Sequence, residues 1–107
     1  MAMKNARALG TTTLTTCYTV PGSTAAIVIG FQVANVDTVN HNVIVQWLDS
    51  SNSNAVTRLM YNVSVPAGAA LSCIEGKLIL EASDYVQVYC DTDNKCEFSL
   101  SVVEMAV

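Results

Sequence analysis

A chain of 107 residues with 51% hydrophobic and 13% charged residues is one domain with a core of its own, but with about half the usual share of charge. Its net charge of −4 and its five Lys and Arg exclude the basic face that nucleic-acid binding requires, and argue against attachment to an anionic membrane. No apolar run approaches the ~18 residues of a membrane-spanning helix.

The chain opens with Met1-Ala2-Met3-Lys4-Asn5-Ala6-Arg7. Basic residues stand here without the apolar stretch of a secretory signal behind them, so the chain is expected to be made and kept in a cytosol. Residues 1–10 show neither strand alternation nor a helical stripe. They are expected to form an extended arm, with Lys4 and Arg7 as contacts to a partner, ordered against a neighbour. Residues 11–107 are expected to form a single β-domain.

Thr11 to Val20 is rich in β-branched residues and reads as the first strand, closed by Pro21-Gly22. Thr24 to Val36 is the second, and Gly30 in its middle signals a bulge. His41 to Leu48 follows after the turn Asp37-Thr38-Val39-Asn40, and the spacing predicts a hairpin between these two strands. Asp49 to Asn54 is a loop of small polar residues. Val56 to Val65 places Leu59, Tyr61, Val63 and Val65 on one face. Three shorter runs come next: Ala69 to Ile74, Leu78 to Leu80, and Tyr85 to Cys90 with Val86, Val88 and Cys90 inward. The loop Asp91 to Lys95 reads as a hairpin connection to Cys96–Met105, where Phe98, Leu100 and Val102 point inward. About eight strands at intervals of roughly 8–12 residues predict an all-β fold, an antiparallel sandwich of jelly-roll or immunoglobulin-like type.

Chemistry finds little purchase. His41 lies between Asn40 and Asn42 with no visible partner and is expected in a surface turn. No G-x-S-x-G elbow and no clustered glycines occur. Asp91 and Asp93 lack the remaining ligands of an EF-hand loop. The expectation is therefore no enzyme, no cofactor and no metal. The four cysteines, Cys17, Cys73, Cys90 and Cys96, contain no C-x-x-C. Cys90 and Cys96 flank one loop on the same face of their strands. A disulfide between them is one expectation, and four small buried thiols is the other. Phe31, Trp47, Tyr61 and Phe98 fall on inward faces. Tyr85 and Tyr89 face away from Val86 and Val88, and are the aromatic anchors expected for a partner. With so little charge, part of the surface is expected to be covered by another subunit.

Several stretches together resemble small accessory structural proteins of tailed-bacteriophage virions. They are the opening seven residues, Tyr18-Thr19-Val20-Pro21-Gly22, Gly30-Phe31-Gln32-Val33-Ala34-Asn35-Val36-Asp37, Val65-Pro66-Ala67-Gly68, Gly76-Lys77-Leu78-Ile79-Leu80-Glu81-Ala82, Asp84-Tyr85-Val86-Gln87-Val88 and Leu100-Ser101-Val102-Val103-Glu104. The resemblance implies a non-enzymatic β-sandwich that decorates or cements a capsid, with a neck or tail position as the alternative; apart from the resemblance, sandwich folds also serve as receptor- or carbohydrate-binding modules, which here would use the loops Asp49–Asn54 and Asp91–Lys95. The resemblance implies symmetric self-assembly, other virion proteins (major capsid or neck and tail proteins) as partners, and a place in the virion after assembly in the host cytoplasm. Nucleic acid and membrane are not among the implied partners.

Overall fold

The computed structural model describes residues 1–107 and contains nine strand segments. They are β1 (Ala2–Leu9), β2 (Thr15–Thr19), β3 (Thr24–Asn35), β4 (His41–Asp49), β5 (Ala55–Val65), β6 (Ala70–Ser72), β7 (Leu78–Leu80), β8 (Tyr85–Cys90) and β9 (Cys96–Ala106). A single 3-10 turn, Ser50–Asn52, follows β4 and is capped by the Asp49 carboxylate.

Every pairing is antiparallel. One sheet runs β1-β9-β3, with β6 and β7 both on the free side of β3, and the other runs β2-β8-β4-β5. The pairs nest: β4 lies on β5, β3 on β6 and β7, β2 on β8, and β1 on β9. This is one long hairpin folded at the β4–β5 turn and rolled into two layers, which is a jelly roll. The immunoglobulin-like alternative does not have this order.

Each layer buries the alternate residues of its strands, as period-two patterning requires. Val28, Phe31, Val33, Leu80, Phe98, Leu100 and Val102 meet Val43, Val45, Val65, Val86, Val88 and Cys90 between the sheets. The bulge signalled by Gly30 is present: the register with β9 slips between Val28 and Gly30. That slip lets Val28 and Phe31, an odd number of residues apart, both point inward.

Four expectations need correction. The β3–β4 hairpin does not exist, because β3 and β4 belong to different sheets. The β8–β9 hairpin fails for the same reason. Alternation tells which face of a strand is buried but not which layer holds the strand. Tyr61 is 61% exposed. The β4–β5 register shifts between Val43 and Val45 and again at Gln46, and Asn62 beside Tyr61 has φ 52°, which turns that ring out of the core. Finally, residues 2–9 are extended, as strand β1, and pair along their whole length with β9 of the same chain, from Ala2 opposite Glu104 to Leu9 opposite Glu97.

The chain leaves β1 at Gly10 and crosses to the other sheet. A Cβ at Gly10 would stand 2.6 Å from Cys90 Cβ and 2.9 Å from Phe98 Cε1. Only a residue without a side chain fits here. The Gly10 amide donates to the Cys96 carbonyl at 2.8 Å, and the Cys90 amide donates to the Thr11 carbonyl at 2.9 Å. This crossing closes the end of the sandwich at which Cys90 and Cys96 meet.

Candidate functional site

At that end, two connections converge on His41. The buried Asn35 side chain shapes the first. Its Nδ2 donates to the carbonyls of Val39 and Val65, both at 2.9 Å, and its Oδ1 accepts from the Asp37 amide at 2.9 Å. Those bonds hold the β3–β4 turn so that Asp37 Oδ2 lies 2.8 Å from His41 Nε2. From the β8–β9 loop, Asp91 Oδ1 lies 2.7 Å from His41 Nδ1. Asp91 Oδ2 accepts from the Asn42 amide at 2.9 Å. His41 itself is 5% exposed.

A carboxylate on each ring nitrogen favours the cationic imidazole. The bond to Asp37 raises the His41 pKa above its usual value, the bond to Asp91 adds to this, and burial opposes it. Asp37 is lowered in return, by His41 and then by the Thr38 amide. Burial alone would raise Asp91, but the Asn42 amide and His41 outweigh it and its pKa is lowered. The surface-turn reading of His41 is therefore corrected. The signal was hard to see, because Asp91 lies 50 residues away in sequence.

Cys90 follows directly behind this cluster. Its Sγ lies 3.2 Å from Cys96 Sγ, and both residues are fully buried. The two thiols are free. They approach each other between the layers, one from each sheet, rather than across a ladder as their spacing had suggested. Burial, and then the neighbouring Cys90, push the Cys96 thiol up to about 12. Burial likewise pushes Cys73 up to about 12 and the half-buried Cys17 up to about 11.

The remaining expected contact residues lie elsewhere. Lys4 points to the inner side of β1 and its Nζ lies 2.9 Å from Glu104 Oε1. The Tyr18 hydroxyl donates to the other oxygen of Glu104. This triad pins β1 and β2 to β9, so the Lys4 ammonium is engaged within its own chain. The bond to Tyr18, and then that to Lys4, lower the Glu104 pKa. Arg7 is exposed on the outer face of the five-stranded sheet. Tyr85 and Tyr89 lie on the outer face of the four-stranded sheet, half-buried, opposite Leu48 and Ile44. Between these pairs the Gln46 amide donates to Gln87 at 2.9 Å, and Arg58 sits opposite Gln46 on β5.

The outer face of the five-stranded sheet carries a feature that the sequence reading missed. Met3 pairs with Val103, Val103 with Ile27, and Ile27 with Ile79. One apolar row therefore crosses four strands, with Met3 76% and Ile79 69% exposed at its ends. Its members are separated in sequence by at least 24 residues, and only the pairing brings them into line. At the side of the sandwich, β5 and the β6–β7 connection leave an open cleft of about 490 Å3 lined in part by Leu59, Met60, Val63, Ile74 and Leu78.

No protein-family model and no curated protein matches this chain. A solved structure does: a protein described as "Bacillus endospore appendages form a novel family of disulfide-linked pili", with a TM-score of 0.56 and 13% identity. The match covers 99% of this chain and 86% of that one. At this identity the likeness establishes the all-β sandwich. It also overturns the phage expectation, for the fold is found here with a bacterial pilus protein and not with a virion protein. The residues behind the phage resemblance are strand and turn motifs. Such motifs encode a jelly roll and carry no information about the particle a jelly roll belongs to.

Proposed function

We propose that this chain is a non-enzymatic structural subunit that assembles with copies of itself into a pilus-like fibre. The observation that carries the proposal is the apolar row Met3–Val103–Ile27–Ile79, which lies open on the outside of a finished sandwich. Exposed apolar side chains scattered singly are ordinary, whereas aligned ones mark a surface made to be covered. The second sheet presents a different face, with the half-buried Tyr85 and Tyr89 beside Ile44. Two unlike sticky faces on opposite sides of one molecule favour head-to-tail contacts, which propagate as fibres when they do not close into rings. The fold shared with the Bacillus pilus protein supports the same reading.

The chemistry of linkage differs from what that protein's description suggests. Cys73, Cys90 and Cys96 are buried. A disulfide between folded copies would therefore draw on Cys17 alone, so the assembly proposed here rests on non-covalent faces.

The test is sedimentation velocity and negative-stain microscopy of the purified full chain across a concentration series. Wild type is expected to form fibres or concentration-dependent oligomers. Ile79→Lys combined with Met3→Lys is expected to remain monomeric with an unchanged melting temperature. A wild-type protein that stays monomeric at high concentration overturns the proposal, as does assembly unaffected by the double substitution.

A further inference from the structure

The same end of the sandwich holds a set of donors that self-assembly does not use. The His41 imidazole, Cys90 Sγ and an Asp91 carboxylate oxygen all lie within 4.8 Å of one another. Cys96 Sγ stands 3.2 Å from Cys90 Sγ. We propose that His41 Nδ1, Cys90, Cys96 and Asp91 form a tetrahedral site for Zn2+, with Asp37 as the outer carboxylate that orients the histidine.

Several observations converge on this assignment. Two thiols with an imidazole and a carboxylate are the donor types that zinc prefers. Bond lengths of about 2.0–2.3 Å to zinc require donor–donor edges of roughly 3.3–3.8 Å in a tetrahedron. The observed separations are 3.2 Å between the sulfurs, 4.0 Å from Cys90 Sγ to Asp91 Oδ1, and 2.7 Å from that oxygen to His41 Nδ1. Shifts of about half an ångström bring these three edges to the required lengths, whereas Cys96 Sγ, which stands outside the 4.8 Å group of His41, Cys90 and Asp91, must swing by more than that to complete the tetrahedron. Asp37 supplies the feature that a simple cluster of polar residues lacks. Its carboxylate accepts a hydrogen bond from His41 Nε2–H at 2.8 Å, which leaves Nδ1 on the side of Asp91, 2.7 Å from its Oδ1. A carboxylate behind a ligating histidine is the usual outer-sphere arrangement of zinc sites.

The donors also sit on three separate parts of the chain: His41 at the start of β4, Cys90 and Asp91 at the end of β8, and Cys96 at the start of β9. An ion here would bridge both sheets at their closed end. On binding, the two thiol protons and the Nδ1 proton pass to solvent, and Zn2+ replaces them. The ligands then carry three negative charges against the two of the ion, with the neutral imidazole completing the tetrahedron.

The probe is Co2+ added to the full chain kept reduced in an oxygen-free buffer. Expected is a thiolate-to-cobalt charge-transfer band with the intense visible bands of a tetrahedral ion, saturating at equimolar metal and erased by added Zn2+. Cys96→Ser, which preserves the side-chain volume, is expected to weaken cobalt binding by at least about tenfold and to diminish the charge-transfer band. Asp37→Asn is expected to weaken it by about 10–100-fold with the tetrahedral spectrum retained. Absence of the charge-transfer band in fully reduced, folded wild type overturns the proposal and leaves Cys90 and Cys96 as a thiol pair or a disulfide. A band that survives Cys96→Ser and Cys90→Ser unchanged overturns it too. Neither result bears on fibre formation, which is read separately by sedimentation.

Discussion

Replacing Gly10 by alanine tests how tightly the end of the sandwich is closed. The added Cβ would lie 2.6 Å from Cys90 Cβ and 2.9 Å from Phe98 Cε1. Carbon atoms prefer separations of about 3.5–4.0 Å, so the shortfall is about 1 Å. Cys90 Cβ is fixed to the backbone of a buried strand, and Phe98 is 1% exposed. Neither can swing aside, so the crossing chain must move. Overpacking of this kind costs about 1–3 kcal/mol. Part of that, about 0.4–1 kcal/mol, is offset by the smaller conformational freedom of alanine in the unfolded chain. A net loss of about 1–2 kcal/mol corresponds to a melting temperature lower by about 5–15 °C in a domain of this size. Gly22→Ala is the control, since nothing lies within 4 Å of its added Cβ, and it is expected to melt at or slightly above wild type. The assay is thermal unfolding followed by circular dichroism under reducing conditions. If Gly10→Ala and Gly22→Ala melt together, the crossing is looser than described and the steric reasoning fails.

Three further outcomes are expected. Leu100→Ala should lose about 2–5 kcal/mol by chemical denaturation, whereas Ile79→Ala on the outer face should stay within about 0.5 kcal/mol of wild type in the monomer; equal losses would contradict the assigned faces. Glu104 has a pKa lowered by Tyr18 and Lys4, so its contribution is complete above the ordinary glutamate range and fades as pH falls through the lowered value. The stability gap between wild type and Glu104→Gln should therefore be widest near neutral pH and shrink in acid, and a gap that widens on acidification would refute that account. Alkylation of the native, metal-free protein followed by mass mapping should modify Cys17 first, with Cys73, Cys90 and Cys96 reacting only on unfolding; early labelling of Cys90 would show that the closed end opens readily.

Much of the layered fold was legible from alternation alone. Val86, Val88 and Cys90 announce an inward face, as do Phe98, Leu100 and Val102, and the bulge at Gly30 is where the glycine suggested it. β1 was not legible, because its inward positions are Ala2, Lys4, Ala6 and Ala8. Small residues and a lysine give no period-two contrast, although Ala6 and Ala8 pack against the core opposite Leu100 and Phe98. The His41 cluster was hidden for a different reason. Its members are polar residues in turns, and only the rolled topology brings Asp91 to Asn42 and His41. The apolar row on the outside was equally invisible, since it takes one residue from each of four strands.

The nested pairing has a consequence for how the molecule comes into being. β9, which follows the other eight strands in sequence, lies between β1 and β3 in the middle of its sheet. Until residues 96–106 emerge, the first strand has no neighbour, and the earliest part of the polypeptide waits for the latest. Contacts that span nearly the whole chain make for slow acquisition of structure, on the millisecond-to-second scale typical of such topologies. Any product lacking residues 96–106 leaves β1 unpaired and exposes the bare edge of β3 at once. The sheet that carries the Met3–Val103–Ile27–Ile79 row is thus completed only when β9 enters it.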